Sequence, residues 1–143
     1  MWQVMADSSN FIIAIDFGLT HIGLAVGQRI TNSASGLTTI KAKNGRPNWK
    51  ELNILIDEYS PSLLLVGFPL NMDGTKSEMS EKAKTFAALL KEKTQVPVCL
   101  VDERLSSKEA IEIANDPKKI HDYNATIHEI SACLIAQTWL DEN

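Results

Sequence analysis

The sequence predicts an α/β domain built on a mixed sheet of five strands, three antiparallel and two parallel, with helices on both faces. Short apolar runs rich in β-branched residues alternate with longer segments whose apolar residues recur at helical spacing. The first runs are joined by connections too short for a helix, so we expect antiparallel neighbours there. The later runs are separated by helix-length crossovers, which return each strand in the same direction.

Three strands are predicted at the start of the chain. Residues 11–15, FIIAI, form an apolar run that suits a strand buried on both faces, and this run ends at Asp16. The chain resumes at residues 22–27, IGLAVG, after a short interval containing glycine, which indicates a hairpin. A third strand is expected over residues 35–40, after a polar turn.

Helices and strands alternate after the Asn44–Gly45 turn. A first helix is expected to end near Ser60–Pro61, and Ser77 is expected to cap a second one. The remaining elements are a strand over 63–67, the second helix to about residue 90, a strand over 96–101, a short helix from 106 or 107 to about 114, and a last helix from about 125 to 139. The order βββαβαβαα is that of the ribonuclease H-like fold.

Length and composition indicate one domain in a reducing compartment. The 143 residues, 44% of them apolar, suit a flexible tail over 1–10 and a single domain over 11–143. The sequence contains no apolar run of the ~20 residues that a membrane helix needs and no recognisable signal peptide, so we expect a cytoplasmic protein. Cys99 and Cys133 are expected to be buried free thiols. The net charge of −4 argues against tight, unaided binding of long duplexes.

Two acidic residues stand where open α/β sheets form their sites, at the carboxyl ends of strands. Asp16 ends the first strand and Glu103 follows the fifth, and these strands could be adjacent. A carboxylate behind a dry strand is costly to bury unless a partner such as a divalent metal compensates it. Either acid alone could simply terminate its strand, but the pair favours a metal site. Asp102 competes with Glu103, because neighbours in a strand point to opposite faces.

Three further residues each allow a functional and a structural interpretation. Arg104 could hold a phosphate or form a surface ion pair with Asp102. Gly18 and Gly23 could let a sugar–phosphate backbone approach closely, or could serve turns and packing.

Four segments resemble the YqgF (RuvX) family in order and in spacing. They are FIIAIDFGLTHIGLAVG at 11–27, VGFPLNMDGT at 66–75, LVDERLSSKEA at 100–110, and Ser131–Ala132 in the last helix. The resemblance covers about residues 11–140, and the strings PLNMDGT and DERLSS together make it specific.

The resemblance implies a ribonuclease H-like nuclease related to RuvC-type Holliday junction resolvases. The family is described as processing the 5′ end of precursor 16S ribosomal RNA. Its pattern implies that Asp16 and Glu103 bind Mg²⁺ or Mn²⁺, with a third acid from the last helix. Residues expected to contact the substrate are Gly18, Thr20, Asn71 and Arg104.

The chain departs from the family pattern at polar positions. The family usually carries Asp at the position of His128 and a basic residue at Thr126, and many members carry lysine at Thr20. We expect His128 to complete the metal site and the catalytic set. A nitrogen ligand there predicts better activity with Mn²⁺ than with Mg²⁺, since magnesium prefers oxygen ligands.

Two other residues could take the role expected of His128. Glu129 is adjacent but lies ~100° further round the helix, and Asp122 could reach in from the preceding loop. His128 is preferred because it is expected to border a buried stripe of Ile127, Ile130 and Leu134.

Three other functions remain open. A Holliday junction resolvase acting on branched DNA is the alternative within the nucleases, and the chain is expected to be a monomer or a weak homodimer. The departures at Thr20, Thr126 and His128 also allow a non-catalytic factor that binds ribosomal RNA or an assembly partner. The string DFGLT resembles the phosphate loop of actin-like ATPases, but those proteins close a cleft between two such domains.

Overall fold

The computed structural model describes residues 10–68, 77–102 and 127–143. Its elements are β1 (Phe11–Asp16), β2 (His21–Gln28), β3 (Ser33–Lys43), β4 (Arg46–Pro47), α1 (Trp49–Tyr59), β5 (Leu63–Phe68), α2 (Glu78–Thr94), β6 (Val98–Asp102) and α3 (Ile127–Glu142). The short helix expected near 106–114 and the tail before residue 10 lie outside these ranges. Within them, no helix is both long enough and apolar enough to cross a membrane.

The sheet has the order β4-β3-β2-β1-β5-β6. The pairs β1–β2, β2–β3 and β3–β4 are antiparallel, whereas β5 and β6 run parallel to β1. The predicted mixed α/β fold is confirmed, but the count of five strands is wrong because β4 makes a sixth. Strand β4 is only two residues long and includes Pro47, so it carries no periodicity that a sequence pattern could reveal.

Strand β1 divides the hydrophobic core in two. Alternate side chains point to opposite faces, and residues 12–15 are fully buried, as the unbroken apolar run predicted. Ile13 and Ile15 pack in a cluster with residues of α1 and α2. Ile12 and Ala14 pack in a second cluster with residues of α3. We call the side of the sheet that carries this second cluster the α3 face.

The loop between β1 and β2 is fastened to the neighbouring β3–β4 hairpin. The amide of Ala42 donates to the carbonyl of Thr20, and the amide of Gly45 donates to the carbonyl of Leu19, each over 2.8 Å. Gly45 has a φ of 79°, and a Cβ there would lie 2.9 Å from the ring of Phe17. The loop that follows Asp16 is therefore fixed by backbone contacts on one side and by ring packing on the other.

Helices α1 and α2 both begin at polar caps. The side chain of Asn48 accepts from the amide of Glu51 over 3.1 Å at the start of α1. At the start of α2, the hydroxyl of Ser77 accepts from the amide of Ser80, and the hydroxyl of Ser80 accepts from the amide of Ser77. The predicted cap at Ser77 is thus confirmed, as a reciprocal capping box.

Helix α3 packs closely on β2 because β2 presents small residues to it. Gly23, Ala25 and Gly27 are the partners of Asp16, Ala14 and Ile12, so they share the α3 face. A Cβ at Gly23 would overlap the backbone carbonyl of His128. A Cβ at Gly27 would lie 2.8 Å from Cγ1 of Ile12 and 3.4 Å from Leu140. Gly23 therefore limits how near the start of the helix can approach the sheet, whereas Gly27 chiefly makes room for the Ile12 side chain of β1.

The predicted buried stripe of α3 is wrong. Ile127 is 69% exposed, and Ile130 and Leu134 are only half-buried. The buried residues are Glu129, Ala132, Ile135, Ala136, Gln137, Thr138 and Leu140. Apolar residues occur on every side of this helix, so spacing alone did not select its inner face. The small residues of β2 favour the alanine side of the helix.

The two cysteines are free thiols, as expected. Both are only partly buried, however, so the expectation of full burial is wrong. Cys99 lies on the edge strand β6 and packs against the core of the α3 face.

Candidate active site

Among the predicted site residues, Asp16 is an acid whose position the structure describes directly. It ends β1, a central strand buried on both faces, and its carboxyl group is half-buried. Burial raises the pKa of this carboxyl from 3.8 to about 6. Among the described residues, none donates a hydrogen bond to this carboxylate or pairs with it as a cation. The charged form is therefore desolvated without compensation from this part of the chain.

Asp16 and the start of α3 lie at the same edge of the sheet. Asp16 follows Ala14 by two residues, so its side chain shares the α3 face. Its partner on β2 is Gly23, against which the backbone of His128 packs. The close packing at Gly23 thus places the start of α3, which carries His128, beside the strand that ends at Asp16.

His21 belongs to the same constellation and was missed by the sequence reasoning. Its ring stacks on that of His128, with centroids 5.0 Å apart and planes within 9° of parallel. Its Nδ1 lies 3.0 Å from the hydroxyl of Thr20. His21 precedes Gly23 by two residues, so alternation along β2 puts it on the α3 face. The alternation could have revealed His21, but the apolar run that predicts the second strand begins only at residue 22.

Glu129 is the buried acid of α3. Only 6% of its surface is exposed, on the helix side that packs against the sheet. The structure gives it an interaction partner, so it is not a free carboxylate. Glu129 continues the buried line of Ala132 and Ala136 to the first turn of the helix. Of the two candidates for the third ligand that the structure describes, Glu129 is the more deeply buried, while His128 is half-buried beside it.

The strands that precede Asp16 and Glu103 are not adjacent. Strand β5 lies between β1 and β6, since each parallel crossover adds a strand on the same side. Asp16 is level with Gly67 and Val101, two strand spacings or about 10 Å across. Val101 belongs to the core of the α3 face, so Asp102 points to the opposite face from Asp16.

The other predicted residues divide into two groups. Thr20 is exposed at the tip of the β1–β2 hairpin beside His21. A Cβ at Gly18 would overlap the carbonyl of His21, so this glycine has a packing role whatever else it does. The candidates that lie outside the described residues are Asn71, Glu103, Arg104 and Asp122. In the ranges that the structure covers, no three His, Cys, Asp or Glu side chains form a group able to hold a metal ion.

The fold and the acid at the end of its central strand define the class of protein. Antiparallel strands β1 to β4 followed by the parallel strands β5 and β6, with helices on both faces and a carboxylate ending β1, are typical of a ribonuclease H-like domain. The sequence profile of the RuvX family, described as Holliday junction resolvase, matches residues 10–142. The chain belongs to the RuvX family.

Relatives named "Putative pre-16S rRNA nuclease" are similar along nearly their whole length. The protein of Haemophilus ducreyi is 44% identical over 136 residues, which cover 92% of this chain and 96% of the relative. The protein of Saccharophagus degradans is 43% identical over 133 residues, which cover 92% and 94%. The predicted membership of the family is confirmed.

Solved structures of resolvases share the fold. Thermus thermophilus RuvC in complex with a Holliday junction substrate has a TM-score of 0.62 at 18% identity, covering 90% of each chain. The Fowlpox virus resolvase in complex with Holliday junction DNA has a TM-score of 0.58 at 12% identity, covering 92% of this chain and 97% of the other. These likenesses confirm the ribonuclease H-like architecture.

Proposed function

We propose that this protein is a metal-dependent nuclease that hydrolyses phosphodiester bonds and trims the 5′ end of precursor 16S ribosomal RNA. The observation that carries the proposal is Asp16, a desolvated carboxylate without a described partner at the carboxyl end of the central strand. The names of its full-length relatives support the substrate. This activity fits one domain over 11–143 working in the cytoplasm.

The donor set fits a divalent cation in part. A desolvated carboxylate gains most from a cation, because the cation removes the cost that raised its pKa. The start of α3, which packs at Gly23 on the neighbouring strand, carries an imidazole, His128, and a buried acid, Glu129. Glu103 is proposed as the second carboxylate, because Asp102 faces away from Asp16. With Asp16, Glu103 and His128 or Glu129, the site would hold Mg²⁺ or Mn²⁺.

The protein's own residues prepare the scissile phosphate for attack. A bound divalent cation supplies Lewis acidity, which activates water and stabilises charge on the phosphate. Asp16 is held rigidly by the β1–β2 pairing, and the hairpin contacts beyond it keep the loop from moving. Thr20, at the exposed tip of this hairpin, together with Asn71 and Arg104, is proposed to contact the substrate. A fixed carboxylate places the reacting phosphate with little loss of entropy in the transition state.

The third ligand is testable by metal preference. His128→Ala and Glu129→Gln would be assayed for cleavage with Mg²⁺ and with Mn²⁺ in parallel. If His128 is the ligand, the native protein prefers Mn²⁺ and His128→Ala loses that preference. If Glu129 is the ligand, Glu129→Gln loses activity with both metals while His128→Ala keeps its ratio. Unfolding curves of the two variants control for the burial of Glu129.

A Holliday junction resolvase is the second candidate. The family description and the two resolvase structures with junction DNA favour it. A resolvase that cuts two strands symmetrically acts as a dimer. A stable dimer in native mass spectrometry would support this candidate, whereas a monomer or weak homodimer fits RNA processing.

The experiment that tests the proposal compares substrates in single-turnover cleavage. A precursor 16S rRNA fragment carrying the 5′ extension, its mature counterpart and a four-way DNA junction are incubated with the protein and Mn²⁺ or Mg²⁺. Cleavage of the extension alone, leaving a 5′ phosphate, supports the proposal. Symmetrical cleavage of the junction supports the Holliday junction resolvase instead. Binding of the RNA without cleavage by either metal would instead indicate a non-catalytic binding factor.

A further inference from the structure

Positive charge is concentrated in one part of this acidic chain. The whole chain has a net charge of −4, yet the 34 residues from 17 to 50 carry five Lys or Arg and no Asp or Glu. This stretch forms the β1–β2 loop, strands β2, β3 and β4, and the start of α1. One half of the sheet is therefore basic in a molecule whose remaining sequence is strongly acidic.

Two of these basic residues share the face of the catalytic acid. Gly23, the partner of Asp16, pairs in turn with Thr39 on β3. Lys41 and Lys43 follow Thr39 at steps of two, so their side chains leave the sheet on the α3 face. Strand geometry puts the Cα of Lys41 about 12 Å and that of Lys43 about 17 Å from the Cα of Asp16.

Lys41 and Lys43 lie on an exposed part of the α3 face. His128 lies over Gly23, so along the strand direction both lysines lie beyond the first described turn of α3. Both lysines are exposed. Neither forms a salt bridge with a described residue. His21, the strand partner of Lys41, lies between them and Asp16 and carries the exposed edge of the stacked histidine pair.

We infer that Lys41 and Lys43 bind the phosphodiester backbone of the substrate a few nucleotides away from the bond cut at Asp16. The inference rests on the proposed nuclease function and adds where the substrate lies. Ammonium groups at a regular spacing attract phosphates without reading bases, so RNA and DNA strands are held alike. Positive partial charge at the first turn of α3 acts in the same direction. An acidic protein thereby binds nucleic acid on one basic half-sheet.

The experiment measures binding without cleavage. Fluorescently labelled oligouridylate and oligodeoxythymidylate are titrated with the protein in EDTA over a range of salt concentrations. The test variant is Lys41→Gln/Lys43→Gln, which keeps part of the apolar stems and removes two charges. The matched control is Lys82→Gln/Lys91→Gln, which removes two charges from α2, one at half-buried Lys82 and one at exposed Lys91. Lys41→Arg/Lys43→Arg restores the charge.

We expect the affinity for nucleic acid to fall in the test variant only. Lys41→Gln/Lys43→Gln binds both strands about tenfold more weakly at moderate salt, and its slope of log affinity against log salt is smaller by about 1.4. The control and the arginine variant stay within about twofold of the native protein. Equal losses in the test and control variants overturn the inference, as does a native protein that binds neither strand.

Cleavage of precursor rRNA by the native protein is assayed in parallel. Cleavage with unchanged binding in Lys41→Gln/Lys43→Gln overturns this inference alone. The expected binding losses without any cleavage support the basic surface and count against the proposed nuclease activity.

Discussion

Burial of the Asp16 carboxyl lowers the stability of the folded protein at neutral pH. Its carboxyl has a pKa of about 6 in the native state against 3.8 as the ordinary value. Between these values the native protein binds more protons than the unfolded chain, so stability falls as pH rises through this window. Above pH 6 the whole cost is present. The bound cation proposed for this site would remove that cost.

Asp16→Asn is therefore expected to stabilise the metal-free protein at neutral pH. The gain in the free energy of unfolding is up to about 3 kcal/mol, because the amide removes the buried charge but keeps the shape. The gain shrinks as pH falls below 6 and vanishes near pH 3.8. Urea unfolding of both proteins in EDTA across this range provides the measurement. A variant that is less stable than the native protein at every pH would show that burial is not what perturbs Asp16.

Single residues of the site were predictable to different degrees. Asp16 is predicted as a site residue because a carboxylate after a dry strand is conspicuous in a sequence. His128 is predicted only through the family pattern, and its contact with His21 depends on a pairing register that apolar runs do not specify. The relation between Asp102 and Asp16 required the sheet order, because β5 separates their strands.

At the scale of elements, the packing of α3 on β2 positions the site. Gly23→Ala is expected to push the start of α3 from the sheet, because the new methyl group overlaps the rigid backbone of His128. The expected loss in unfolding free energy is about 3 kcal/mol, with a large loss of cleavage.

Gly27→Ala is the matched control on the same strand face. Its methyl group meets the Ile12 and Leu140 side chains, which can shift, so a loss of at most about 1 kcal/mol is expected. Equal losses in thermal unfolding would contradict this view of the helix contact.

The capping box of α2 gives a second prediction at this scale. Ser77→Ala removes the acceptor for the Ser80 amide, and we expect a loss of about 1 kcal/mol in urea unfolding. Thr85→Ala on the same helix removes only a bond from the Thr85 hydroxyl to the carbonyl of Glu81. This control should change stability by less than about 0.5 kcal/mol, since that carbonyl is already served by the helix. A cap variant as stable as the control would mean that α2 does not depend on its first turn.

Elements with their own periodicity or caps were predictable, and elements defined by tertiary contacts were not. The buried run of β1 and the cap at Ser77 carry local signals, and both predictions were confirmed. Strand β4 exists because the Asn44–Gly45 turn folds two residues back onto β3. The inner face of α3 depends on the Gly23–Ala25–Gly27 surface of another element. No pattern within the helix itself could have identified that face.

At the scale of the whole molecule, the net charge conceals an uneven distribution of charge. The acidic total argues against tight, unaided binding of long duplexes, but residues 17–50 carry only basic charges and fold into one half of the sheet. Asp16, the proposed catalytic acid, lies on β1 next to this half. The distribution of charge thus matches a nuclease that holds one strand beside its site better than one that clamps several duplex arms.

The measurement that tests this account most directly compares the native protein with Asp16→Asn on precursor 16S rRNA, under single-turnover conditions with Mn²⁺. We expect Asp16→Asn to bind the RNA with native affinity in EDTA, to be the more stable protein at neutral pH, and to lose cleavage by at least about a hundredfold. Equal cleavage by the two proteins would contradict the assignment of Asp16 as the central metal-binding acid and, with it, the proposed site.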